Sequence, residues 1–254
     1  MITAEQVNSL RQRTGISMMQ CKKALEEAGG DEEKAVELLR KKGMAKAAEK
    51  ADRTMKEGIV VTRIKGTKAA IVKLSCETDF VAKNEEFKTI ANHVADTAIA
   101  KGADAAMKEA EVPIKELFAK LGENMAMEVK VMEGDGIGDY IHTNNKIGVL
   151  VNLSKKMEDK AHDIAMQIAA MNPQVIRPEQ VSDDLISKER EIWKAQLLTE
   201  GKPAAILDKI MLGKEKKFRE ECALLKQAFV KDSEKTVEQF LEGTDILSFI
   251  RMAI

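Results

Sequence analysis

The chain has 254 residues, with 41 basic and 42 acidic side chains and a formal net charge of −1. That balance lacks the basic excess of a nucleic-acid binder. Three widely spaced cysteines, Cys21, Cys76 and Cys222, make neither a disulfide framework nor a paired-cysteine metal site and point to a reducing cytosol. The N-terminus lacks an apolar signal segment and no run is long enough to cross a membrane. Charged residues make up 33% and aromatics 4%, with 14 methionines, a mix suited to helices and adaptable contact surfaces.

Residues 1–50 read as a helical module. Thr3-Ala4-Glu5-Gln6 is a capping box opening a helix that stops at Gly15, and Ser17-Met18-Met19-Gln20 is a second box whose helix ends at Gly29-Gly30. Asp31 caps a third helix, with Ala35, Val36, Leu38 and Leu39 apolar, that ends at Gly43. An Ala- and Lys-rich stretch, 44–56, follows as a helical linker.

From Gly58 the texture changes. Ile59-Val60-Val61-Thr62-Arg63-Ile64 and Ala69-Ala70-Ile71-Val72-Lys73-Leu74 predict two strands joined by the turn Lys65-Gly66-Thr67-Lys68. Phe87, Ile90, Ala91, Val94, Ala95 and Ala98 then recur at helical spacing. Residues 112–123 predict a helix, 125–132 a further strand, and Gly134-Asp135-Gly136 a turn. The same order returns at Tyr140-Ile141-His142, the turn Thr143-Asn144-Asn145-Lys146, the strand 147–153, and a helix carrying Ala161, Ile164, Ala165, Ile168 and Ala169. Aligning the two copies leaves five extra residues in the first, at 78–82. The expected fold is therefore α+β, with a duplicated core of antiparallel sheets and a loop added to one half.

Leu185, Ile186, Ile192, Trp193, Leu197 and Leu198 mark one amphipathic helix. Ile206, Leu207, Ile210, Met211, Phe218, Cys222 and Leu225 mark a second beyond Gly201-Lys202-Pro203. Together they predict an antiparallel helical hairpin, after which the tail from Val230 to Ile254 is expected to pack on the core. The expected divisions are 1–50, the helical domain with its linker; 51–136, the first core subdomain; 137–182, the second; 183–225, the hairpin; and 226–254, the rest of the second subdomain.

The connection that holds the added residues is Ser75-Cys76-Glu77-Thr78-Asp79-Phe80-Val81-Ala82-Lys83-Asn84. An Asp-Phe pair there is a poor catalytic device and a good wedge, because Phe can enter an apolar crevice while Asp bonds its polar rim. The plain alternative has Asp79 capping the next helix and Phe80 in the core. Adjacent residues on a helix point about 100° apart, so one of Met18 and Met19 is expected to face the core and the other solvent. His93 and His162 read as surface or boundary residues. No His/Cys/Asp cluster has zinc spacing, and neither a GxxxxGK[ST] loop nor a GxSxG elbow occurs. Catalytic residues, cofactors and metals are therefore not expected.

The motif Arg13-Thr14-Gly15-Ile16-Ser17-Met18-Met19-Gln20-Cys21-Lys22-Lys23-Ala24-Leu25 resembles the N-terminal signature of the bacterial elongation factor Ts family. Thr78-Asp79-Phe80-Val81-Ala82-Lys83 resembles its second signature, and Gly122-Glu123-Asn124, Ile147-Gly148-Val149-Leu150-Val151 and Gly201-Lys202-Pro203 fit as well. The resemblance implies a cytoplasmic nucleotide-exchange factor that speeds GDP release from the GTPase elongation factor Tu, without direct nucleic-acid or membrane binding. It also implies a ubiquitin-associated-like three-helix domain ahead of the duplicated core and an inserted coiled-coil hairpin, through which dimerisation is open. By the resemblance, Thr78, Asp79, Phe80 and Val81 form the exchange wedge, which enters between two helices of the GTPase domain. Arg11, Met18, Met19, Lys22 and Leu121 would dock on that domain, and His142 and Val230 would grip the partner elsewhere. The chain departs from the family pattern at Ser17, Gln20, Asn144-Asn145 and Met127-Glu128, and it ends without the C-terminal helical module of some members. The rival reading is a ubiquitin-associated-like scaffold that tethers a partner through residues 1–50 and leaves nucleotide affinity unchanged.

Overall fold

The computed structural model describes residues 2–14, 16–49, 54–199 and 204–254. Gly15 and the Gly201-Lys202-Pro203 turn lie outside them, as does part of the expected 44–56 linker. The fold is mixed helix and antiparallel sheet, and the chain divides into two compact units. One holds residues 1–133, 141–148 and 252–254, and the other 134–140 and 149–251.

The first unit opens with α1 (Ala4–Thr14), α2 (Met18–Glu27) and α3 (Glu32–Glu49). The first capping box forms as its sequence predicts. Gln6 N–H donates to Thr3 Oγ1 at 3.2 Å and Thr3 N–H donates to Gln6 Oε1 at 3.0 Å. The second does not form, because the Ser17 hydroxyl donates to the Gln20 side chain at 3.1 Å and leaves the helix N–H groups uncapped by it. Asp31 Oδ1 accepts from the N–H groups of Glu33 and Lys34. α3 does not stop at Gly43 but runs on to Glu49. A glycine inside a helix costs only about 1 kcal/mol, so it is not by itself a terminator. Val7, Leu10, Ile16, Cys21, Ala24, Leu25, Ala35 and Leu39 form the bundle's core, and Ala119 packs against it.

Strands β1 (Glu57–Lys65), β2 (Lys68–Cys76) and β3 (Met125–Glu133) form an antiparallel sheet in that order. Lys65 pairs with Lys68 across a two-residue turn, whose Gly66 takes the left-handed φ of 62° that such turns require. Between β2 and β3 come α4 (Asp79–Ala82), α5 (Glu85–Lys101) and α6 (Ala103–Leu121). Phe87, Ala91, Val94, Ala95 and Ala98 bury the face of α5 on the sheet. α6 begins nine residues before the expected start and carries Pro113 inside it.

The second unit repeats the plan. β4 (Gly136–Ile141) and β5 (Ile147–Leu153) lead to α7 (Glu158–Met171). After α8 (Asp183–Thr199), α9 (Ala204–Cys222), β6 (Ala228–Phe229), β7 (Asp232–Thr236) and α10 (Val237–Leu241), β8 (Ile246–Ala253) returns to pair with β5, giving the order β4-β5-β8. Each three-stranded sheet is thus a hairpin whose second strand receives a later third strand, and β6 and β7 pair as a separate two-stranded sheet. The five additional residues of the first copy hold the single turn α4. Trp193, Leu197 and Met211 pack the α8–α9 hairpin, with Phe218 edge-on to Trp193 at 5.6 Å between ring centroids. α9 ends at Cys222, before the expected Leu225. The next residues belong elsewhere: Ala223 and Leu224 are fully buried, and the Leu224 N–H donates to the Val175 carbonyl at 2.9 Å.

Candidate partner-docking site

α4 is a turn too short to hold itself together, since helix nucleation in isolation is unfavourable. Its anchors come from residues around it. Thr78, at the N-cap, makes no side-chain bond to the helix it precedes. Its N–H donates to Glu123 Oε2 at 3.0 Å and its hydroxyl donates to Glu123 Oε1 at 2.6 Å. In the other direction Asn124 N–H donates to Glu77 Oε1 at 2.9 Å. The Cys76 thiol donates to the Thr78 carbonyl from below at 3.2 Å. At the far end of the turn Val81 and Ala82 are buried.

Between these anchors stands Phe80, exposed on 82% of its surface. Exposure of so large an aromatic is the informative exception among apolar side chains. Asp79 beside it pairs with Lys83 at 2.6 Å, and the Lys83 ammonium holds its carboxyl below the usual carboxylate range. Asp79 does not cap α5. That role falls to Asn84, which accepts from the N–H groups of Glu86 and Phe87. The plain alternative of a core phenylalanine therefore fails. Burial pushes the Cys76 thiol up to about 12, with the Glu123 and Glu57 carboxylates adding to the shift.

Leu121, the last residue of α6, lies two positions before Glu123 and is 37% exposed. Arg11 is exposed on α1, and Lys22 is exposed on α2 with Glu26 at 3.9 Å. Met18 and Met19 are both exposed, contrary to the expectation that one is core. Cys21, Ala24 and Leu25 fill the buried face of α2, and Met18 is its first residue. Side chains tilt toward a helix's N-terminus, which directs Met18 off the end of the packed face. His142 is half-buried in the turn before β5. Its N–H donates to the Ile147 carbonyl, and the Asn145 carbonyl accepts from the Val60 N–H at 2.7 Å. At Gly148 a Cβ would stand 2.5 Å from the Val60 side chain and 2.8 Å from that of Ile141. Val230, in the second unit, is 43% exposed at the β6–β7 turn. Buried Gln167 of α7 fixes that turn by accepting from the Val230 N–H at 2.7 Å and donating to the Ala228 carbonyl at 3.1 Å.

Sequence reasoning missed Glu123, Glu77 and Gln167 as supports, because each acts on residues 45 or more positions away. It also missed Val112 on α6, which is 60% exposed. Among the described residues no group of three or more His, Cys, Asp and Glu could hold a metal ion, and no helix is long and apolar enough to cross a membrane.

A bare aromatic on a turn anchored at both ends, beside a carboxylate and without a metal cluster among the described residues, is the arrangement of a contact surface rather than of a catalytic centre. The family model described as Elongation factor TS matches residues 77–254. The Elongation factor Ts of Pasteurella multocida is 46% identical, covering 100% of this chain and 92% of the relative. That of Deinococcus deserti is 43% identical over 98% of each, and that of Clostridium botulinum (strain Alaska E43) 45% identical over 95% of this chain and 86% of its own. The chain belongs to the elongation factor Ts family. Its role is nucleotide exchange on elongation factor Tu in translation elongation.

Proposed function

We propose that the chain promotes GDP release by pressing the Thr78–Val81 turn between two helices of the partner's GTPase domain. The intrusion disturbs the magnesium and phosphate site. Magnesium demands near-ideal octahedral geometry, so a small displacement of its surroundings weakens it. Loss of the metal leaves the diphosphate charge poorly compensated. Binding of this factor and of GDP then oppose each other reciprocally. The observation that carries the reading is the 82% exposure of Phe80 on a turn anchored at Thr78, Val81 and Ala82. Arg11, Met18, Met19, Lys22 and Leu121 extend the contact on the GTPase domain, and His142 and Val230 grip the partner elsewhere. α1 to α3 act as a ubiquitin-associated-like module in a cytoplasmic protein. The five-part division expected from the sequence remains part of this proposal, with α8 and α9 as a coiled-coil insertion through which self-association is open and on which Ile192 and Leu212 are exposed.

The test is release of a fluorescent GDP from elongation factor Tu, followed by stopped flow. The full chain accelerates release, and Asp79→Ala with Phe80→Ala abolishes most of the acceleration. Normal exchange by the double variant would overturn the assignment. A tethering scaffold would bind and leave the rate unchanged.

A further inference from the structure

We propose that Glu123 is a positioning residue for exchange, acting through Thr78 to fix the direction in which α4 presents Phe80; the inference rests on the proposed function of that turn. Both Glu123 oxygens are committed to Thr78, at 2.6 and 3.0 Å, and Glu77 returns the contact to Asn124 at 2.9 Å. The two loops therefore hold each other by carboxylate-to-donor bonds in both directions. Such charge-assisted bonds are roughly twice as strong as neutral ones.

The arrangement is unusual for an N-cap. A threonine there normally accepts from the N–H groups of the helix it opens. Here the hydroxyl is turned outward to Glu123, and the four-residue helix has no side-chain cap. Local capping is given up for a tether to residues after α6, on the same loop that follows the exposed Leu121. The Cys76 thiol adds a third tie, at the Thr78 carbonyl. Phe80 is consequently fixed from both sides while remaining bare. Its ordering cost is met before the partner arrives, which is the physical basis of preorganised binding.

Acting through Phe80 makes a prediction that a general role in folding does not share. At saturating factor, Glu123→Ala lowers the GDP-release rate by roughly tenfold or more, as expected for loss of a charged hydrogen-bond partner. In the Asp79→Ala, Phe80→Ala background the same change has less than about a twofold effect, because coupled residues are non-additive. Glu123→Gln retains most of the rate, since its carbonyl oxygen accepts from the Thr78 N–H and its amide donates to the Thr78 hydroxyl. Thr78→Val, which keeps the shape and removes the hydroxyl, lowers the rate, and Thr78→Ser preserves it. An unchanged rate in Glu123→Ala, or an equal loss with and without the wedge residues, would overturn the clamp and leave the wedge standing. No acceleration by the unaltered chain would instead overturn the proposed function itself.

Discussion

Cys76, Thr78 and Phe80 show how three side chains within one short segment divide the labour of the proposed docking turn: one buried, one tied, one bare. Cys76 has a testable consequence. Its folded-state pKa is raised, so its contribution to stability is fully present below the ordinary cysteine value of about 8.5. That contribution is lost as pH climbs toward about 12, because the unfolded chain ionises first. Burial raises Cys222 as well, so both thiols add to the same alkaline slope. Urea denaturation at pH 7 and pH 10 should show a smaller stability loss for Cys76→Ala than for the unaltered chain; an identical loss would contradict the burial account. Gln167 gives a second test. Replacement by Leu removes its bonds to the Val230 N–H and the Ala228 carbonyl, which lie on exposed residues, and losing an ordinary hydrogen bond costs about 0.5–1.5 kcal/mol. Chemical denaturation measures that loss, and amide exchange should quicken at Val230.

At the scale of elements, the sequence was most legible where periodicity is long and local. The β1–β2 hairpin, α5 and α7 fall where their apolar spacing places them, and the copy alignment locates α4 as the added turn. It was least legible where a boundary hangs on one residue, because a single stop or cap signal is worth only about 1 kcal/mol. Gly43 looks like a stop, yet α3 continues; Pro113 sits within α6, whose Ala-rich first half has no stripe distinctive enough to mark its start. Ser17 has the composition of a cap and bonds a side chain instead. The Asp-Phe turn was visible as a motif, but its tie to Glu123 was not, since nothing in the local pattern of Glu123 points to Thr78. The hairpin carries its own apolar contacts through Trp193, Leu197, Met211 and Phe218. Removing α8 and α9 and joining Ser182 to Ala223 by a short Gly-Ser link should leave one cooperative calorimetric transition. Loss of cooperativity would show that the core depends on the arm. Trp193, the single tryptophan, makes the arm separately visible by fluorescence in the full chain.

At the scale of the whole molecule, two units built on the same sheet plan differ in what each adds: the first an anchored turn with a bare phenylalanine, the second a helical arm and a Val230 turn fixed by Gln167. Exchange in this account is a mechanical competition with the metal that holds GDP, and no bond is made or broken by the wedge. The most direct measurement is the rate of fluorescent GDP release from elongation factor Tu at saturating factor, with magnesium plentiful and with magnesium chelated. With plentiful metal the unaltered chain should far exceed the Asp79→Ala, Phe80→Ala variant, and with metal chelated the two should converge. Equal rates for the two proteins in plentiful magnesium, or an undiminished gap after chelation, would contradict it.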